Sequence, residues 1–146
     1  QLSYYLSLKE QYEYFKANRQ TRFTPPVQTL YALKQAIKET KLETIEKRYA
    51  RYKKSWRTLV DGICKLGLNY IVDEENHSKI ITAIKMPEHI NFHELHDYLY
   101  SKGITIYPGK IDELNTFRIA NIGDINHKDI NEFLSYLKIF LISKSK

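Results

Sequence analysis

A chain of 146 residues is long enough for one domain with a substantial core, and 42% hydrophobic with 27% charged residues is ordinary for a folded protein. Its 12 tyrosines and 6 phenylalanines argue against a disordered chain, and no apolar run approaches the ~20 residues that span a bilayer, so no membrane partner is expected. The formal net charge of +6 invites a nucleic-acid partner, although net charge bears on non-specific attraction rather than on fold.

The helices come first. Tyr5, Leu8, Tyr12 and Phe15 recur at helical spacing and predict an aromatic-rich helix over 3–18. Arg22-Phe23-Thr24-Pro25-Pro26 breaks it: paired prolines disfavour helix before them, and Pro26 can open the next one. A second helix is predicted over 27–38, with Leu30, Tyr31, Leu33, Ala36 and Ile37 turned inward. A third spans 45–66, with Gly67 placed as its stop. On this helix Tyr49, Tyr52, Trp56 and Leu59 make one apolar face, which leaves the cations of 47–57 to the solvated side. That arrangement outweighs the nucleic-acid reading, and no nucleic-acid partner is expected.

Strands begin after Gly67. Tyr70-Ile71-Val72 is a short strand candidate, followed by a polar turn over 73–78. Residues 80–84 predict a second strand, ended by Met86-Pro87. Phe92, Leu95 and Leu99 build an amphipathic helix over 92–102, stopped by Gly103. Residues 104–107 predict a third strand, cut by Pro108-Gly109, and 117–120 a fourth. Asn126 is placed to cap a last helix with Ile130, Phe133, Leu134, Leu137 and Phe140 on its inner face. This order fits an α+β fold, a mainly antiparallel sheet of about four strands with helices on one face.

No catalytic constellation is complete. The chain has no Gly-rich phosphate loop and no serine triad pattern. His93 and His96 lack the third ligand of a catalytic zinc and are expected at the solvent edge of their helix. Cys64, the single cysteine, rules out an internal disulfide. It reads as a small hydrophobe in or beside a helix and is compatible with a reducing, cytoplasmic compartment. The chain opens on Gln1 with Met86 as its only methionine, which reads as a processed, trimmed or truncated start.

Three stretches hold candidate anion sites. In Thr116-Phe117-Arg118-Ile119-Ala120-Asn121-Ile122-Gly123-Asp124 one arginine stands among residues that otherwise read as a buried strand. A guanidinium there is costly unless an anion meets it, and its planar fork matches a carboxylate or phosphate. The plainer alternative is an arginine whose head reaches solvent or a structural carboxylate. Arg22 and Thr24 put a cation and a hydroxyl just before a helix start, which suits a phosphate or, alternatively, a simple N-cap. In Tyr107-Pro108-Gly109-Lys110 a strand end turns sharply, and Lys110 is either an anion contact or a solvated lysine.

Taken together, Arg22-Phe23-Thr24-Pro25-Pro26, Arg48-Tyr49, Gly62 and Leu66-Gly67 resemble the class V aminotransferases. Ile80-Ile81-Thr82-Ala83, Tyr107-Pro108-Gly109-Lys110 and the run from Phe117 to Asp124 are similar to the 2-aminoethylphosphonate–pyruvate transaminases among them. The resemblance is to the C-terminal part only; the large domain, with the lysine that anchors pyridoxal phosphate, precedes this region in the family. It implies the small domain of a type I pyridoxal-phosphate transferase over 27–146, with 1–26 leading in from the large domain. It implies that Arg118 holds the carboxylate of pyruvate or alanine. It also implies that Thr24 reaches a cofactor phosphate, typically across a homodimer, with Arg22 beside it for that phosphate or for the substrate's phosphonate. The activity implied is transfer of the amino group of 2-aminoethylphosphonate to pyruvate, which a fragment of this extent would not perform alone. The sequence departs from the family at Glu39-Thr40-Lys41-Leu42, where glycines are common, and at Lys79, where a proline is common. Two alternatives stay open: an alanine–glyoxylate-type aminotransferase, and a free-standing anion-binding α+β module. The carboxylate reading carries a geometric expectation. Arg118 should face the side the large domain would cover, with no carboxylate of its own chain fully neutralising it.

Overall fold

A computed structural model describes residues 3–109 and 114–144. The chain divides into two compact units, Gln1–Glu43 and Thr44–Lys146, whereas the sequence reading draws its boundary at 26/27.

The first unit holds two helices. Ser7 caps α1 (Leu8–Asn18) by accepting a hydrogen bond from the Glu10 amide. Arg19 ends it at φ 58°, its N–H reaching Phe15 O at 2.8 Å. This helix starts later than the aromatic spacing suggests: Ser3 Oγ accepts from Leu6 N at 3.1 Å in a separate bend, and the helix opens only at the Ser7 cap. Pro25 and Pro26 open α2 (Val27–Glu43), with Val27 N donating to Pro25 O and Leu30 N to Pro26 O. α2 runs past the predicted end at Lys38, since nothing in 39–43 breaks a helix. Neither helix buries a residue. Leu30, Tyr31, Leu33, Ala36 and Ile37, expected inward, are all exposed. Two helices of 11 and 17 residues do not make a core by themselves.

The second unit opens at Thr44, which caps α3 (Ile45–Lys65) through a hydrogen bond from Lys47 N. Ser55, Trp56, Leu59, Val60 and Ile63 make the buried face of α3. Tyr49 falls on the predicted apolar face but is exposed, so the face begins a turn later. Cys64 lies in α3 on its exposed side, not as a buried hydrophobe. Gly67, at φ 77°, closes the helix: Gly67 N donates to Cys64 O and Leu68 N to Ile63 O.

Among the described residues the sheet has three antiparallel strands, β1 (Ile81–Lys85), β2 (Tyr107–Pro108) and β3 (Thr116–Ala120), in the order β1-β3-β2. The α+β class holds, but the strand expected at Tyr70-Ile71-Val72 is only a bridge, Tyr70 opposite Ile84. The expected strand at 104–107 shrinks to its last residue plus Pro108, because the chain first leaves α4 (Phe92–Tyr100) through a tight turn at Gly103 (φ 79°). Asn91 caps α4, and α5 (His127–Lys144) closes the chain. In the β1–β3 register Thr82 faces Ile119 and Ile84 faces Phe117. These four side chains are buried. Leu59 and Ile63 of α3, Leu95 and Leu99 of α4, and Ile130, Phe133, Leu137 and Phe140 of α5 share one core with Ile84, Phe117 and Ile119. The helices therefore cover one face of the sheet. No helix among the described residues is long and apolar enough to cross a membrane.

Candidate functional site

Strand periodicity decides where Arg118 goes. Phe117 and Ile119 turn into the core, so Arg118 between them turns to the opposite face. There it sits on the central strand, with Ala83 of β1 opposite on one side and Tyr107 of β2 on the other. Ala83 is small and leaves room; Tyr107 is exposed. The residue is half-buried, and its guanidinium Nε donates to Pro108 O at 3.1 Å in an exposed hydrogen bond. Pro108 has no N–H for the sheet, but its carbonyl braces the arginine. No carboxylate among the described residues pairs with Arg118, and its two terminal NH2 groups have no protein partner there. A half-braced fork of this kind suits bidentate pairing with an anion.

A cavity of about 410 Å³ opens beside Arg118. Its apolar wall includes Ile104, Ile119, Ile122, Ile125, Ile130 and Phe133. Tyr107, Arg118 and Asp129 contribute polar groups. Asp129 already serves the start of α5, its Oδ2 accepting from Asn126 N at 2.8 Å, while Asn126 Oδ1 accepts from Lys128 N at 2.8 Å. Asn126 thus takes part in opening α5, and the Asp129 charge favours the N-terminal end of the helix dipole. Lys110 and Asp112-Glu113 lie outside the described residues.

The turn from β3 to α5 forms part of the cavity wall and is held from α3. Asn121, fully buried, donates from Nδ2 to Tyr52 O and Lys79 O. Gly123 turns at φ 85°, donates its N–H to Tyr52 Oη, and accepts from Arg51 at its carbonyl. The sequence places Tyr52 on an apolar face and Arg51 toward solvent, and marks neither for a site. No local signal marks either, because their partners lie about 70 residues away in the chain.

Arg22 and Thr24 belong to the first unit and Arg118 to the second, so each set is described within its own unit. Arg22 stacks over the rings of Tyr4 (4.4 Å) and Phe23 (5.2 Å), and its Nη1 donates to Tyr4 O at 3.0 Å. Thr24 is exposed, and its hydroxyl does not cap α2, whose first amide bonds run to proline carbonyls instead. The N-cap alternative therefore fails, and the hydroxyl stays open beside Arg22 along a shallow groove that also takes in Tyr14 and Gln20. A hydroxyl and a guanidinium together are a fitting donor set for a phosphate. On α4, His93 is exposed and His96 stacks on Tyr100 at 5.8 Å, as a solvent-edge pair would.

No protein-family model matches the chain. The chain is 41% identical over 120 residues to the 2-aminoethylphosphonate–pyruvate transaminase of Salmonella typhimurium (strain LT2), covering 80% of this chain and 33% of that enzyme. The enzyme so named from Salmonella agona (strain SL483) matches to the same extent. The chain thus spans about a third of the length of the curated relatives it matches. Among solved structures, the alanine–glyoxylate aminotransferase from Nostoc superposes with a TM-score of 0.87 at 19% identity, over 96% of this chain and 38% of that one. The ureidoglycine–glyoxylate aminotransferase from Bacillus subtilis gives 0.79 at 23% identity, over 94% and 37%. The two solved structures establish the fold. The curated relatives bear out the resemblance to the C-terminal part of a class V aminotransferase.

Proposed function

From this chain's kinship with one third of the 2-aminoethylphosphonate–pyruvate transaminases, we propose that it is the small C-terminal domain, with its lead-in, of a transaminase that moves the amino group of 2-aminoethylphosphonate to pyruvate. Arg118 carries the reading: a half-buried arginine on the sheet face opposite the core of its unit, its guanidinium braced at Nε by Pro108 O and unpaired with any carboxylate among the described residues. In this role the fork takes the carboxylate of pyruvate, or of the alanine formed from it, through two charge-assisted hydrogen bonds. The brace limits the side chain's freedom before substrate arrives, so less order is lost on binding, and the α-carbon is held in one orientation for amino transfer. Thr24 and Arg22 are assigned to the phosphate of pyridoxal phosphate, in the neighbouring subunit of a homodimer. That cofactor, when bound, supplies the electron sink for the transfer. The domain itself contributes orientation and charge neutralisation, and the activity requires the rest of the enzyme.

Arg118→Lys in the full-length enzyme tests the assignment. Lysine keeps the charge and loses the bidentate fork. Charged hydrogen bonds contribute about 1.5–3 kcal/mol each, so the KM for pyruvate should rise roughly tenfold to a hundredfold. An unchanged pyruvate KM removes Arg118 from the site.

A further inference from the structure

We infer that Tyr52, with Arg51 and Asn121, is a positioning clamp that fixes the wall of the Arg118 cavity by gripping the backbone of the β3–α5 turn. The turn leaves β3 at Ala120, two residues after Arg118, and supplies Ile122 and Ile125 to the cavity. Ile122 is 49% exposed and Gly123 adopts φ 85°, so packing and backbone preference alone leave the segment free to move. Side chains of α3 hold it instead. Arg51 Nη1 donates to Gly123 O at 2.8 Å and Ile125 O at 3.1 Å. Tyr52 Oη accepts from Gly123 N at 3.1 Å. Asn121 ties the end of the strand down, its Nδ2 shared between Tyr52 O at 3.2 Å and Lys79 O at 3.1 Å, its backbone N–H on Ile80 O at 3.0 Å. The bonds run from one rigid helix to both ends of the turn, so the position of the cavity wall relative to the guanidinium follows α3.

The inference rests on the reading of Arg118 as partner of the keto-acid carboxylate. It adds that the clamp governs how well that carboxylate is held, and so acts on the pyruvate KM rather than on kcat. A split of KM from kcat separates a positioning role from a general loss of structure, which lowers kcat through the fraction of enzyme folded. Tyr52→Phe is the sharpest variant, because the ring that lies 4.8 Å from the Arg51 guanidinium remains and only the acceptor for Gly123 N–H is lost. In the full-length holoenzyme, kcat/KM for pyruvate should fall about three- to tenfold through a raised KM, the scale of one neutral hydrogen bond, while kcat at saturation stays within about twofold. Arg51→Lys, which loses the shared reach to two carbonyls, should give the same rise in KM and serves if the Tyr52 variant does not accumulate. A loss confined to kcat, or no loss for pyruvate, overturns the clamp. Arg118→Lys, assayed alongside, separates the two failures. If it lowers the pyruvate value and both clamp variants do not, the clamp alone is wrong. If it leaves the pyruvate value unchanged, the carboxylate reading fails and the clamp's role fails with it.

Discussion

His77 is the clearest case of a single side chain read through its neighbours. Its ring packs 5.0 Å from Trp56, which is fully buried, and 6.1 Å from Tyr70. Two N–H groups face its ring nitrogens: Lys79 N at 2.8 Å from Nδ1 and Trp56 Nε1 at 3.4 Å from Nε2. A neutral imidazole has one acceptor nitrogen. The shorter bond assigns that role to Nδ1, puts the proton on Nε2, and leaves the Trp56 contact as ring packing. The charged groups around it are Lys79, Arg57 over the Trp56 ring, and Glu74 paired with Arg57. Burial first, and the Lys79 charge second, hold the His77 pKa below its ordinary value of 6.5. The sign follows from linkage: the unfolded chain binds the proton more readily, so the contribution to stability is intact above 6.5 and is lost as pH falls from there through the lower folded value. An NMR titration should place the His77 midpoint below 6.5. A midpoint at or above that value contradicts the environment described. His77→Gln should flatten the loss of thermal stability over the same window.

Among the elements, β2 is short, yet Arg118 depends on it. Two residues pair with β3, and Gly109 N extends the contact to Thr116 O at 2.7 Å. A Cβ on Gly109 would stand 1.6 Å from Thr116 Oγ1 and 2.8 Å from Thr116 O. Rotating the threonine relieves only the first clash; the second is backbone. Gly109→Ala should therefore push β2 away from β3 and move the Pro108 carbonyl that braces Arg118. The expected cost is about 1–3 kcal/mol in denaturant unfolding of the full-length enzyme, together with a raised pyruvate KM. Wild-type stability and KM in this variant would mean that the strand end adapts freely and the brace has no role.

For the molecule as a whole, the two units differ in how they hold together. The second closes a core among α3, α4, α5 and one face of the sheet. The first buries nothing in either helix and exposes Leu30, Tyr31, Leu33 and Ile37 along α2. Apolar surface on that scale calls for a covering surface, in keeping with a chain that spans about a third of its relatives' length. A protein of these 146 residues alone should self-associate as its concentration rises, which sedimentation velocity would detect. A single monomeric species across the accessible range would show that α1 and α2 need no cover.

The sequence by itself determined the local structure and the identity of the key cation. Stop residues such as Gly67 and Gly103 act within a turn of the chain, and a lone arginine between Phe117 and Ile119 stands out in the sequence itself. The motifs also carried the family. What only the tertiary structure decided was what each surface meets. Tyr70 makes a bridge where a strand was expected, and the inward face predicted for α2 is bare, because burial depends on a partner layer that periodicity cannot see. The grip of Arg51 and Tyr52 on Gly123 joins residues about 70 positions apart. Such a bond leaves no trace in local pattern, since it exists only once α3 and the end of β3 pack into the same fold.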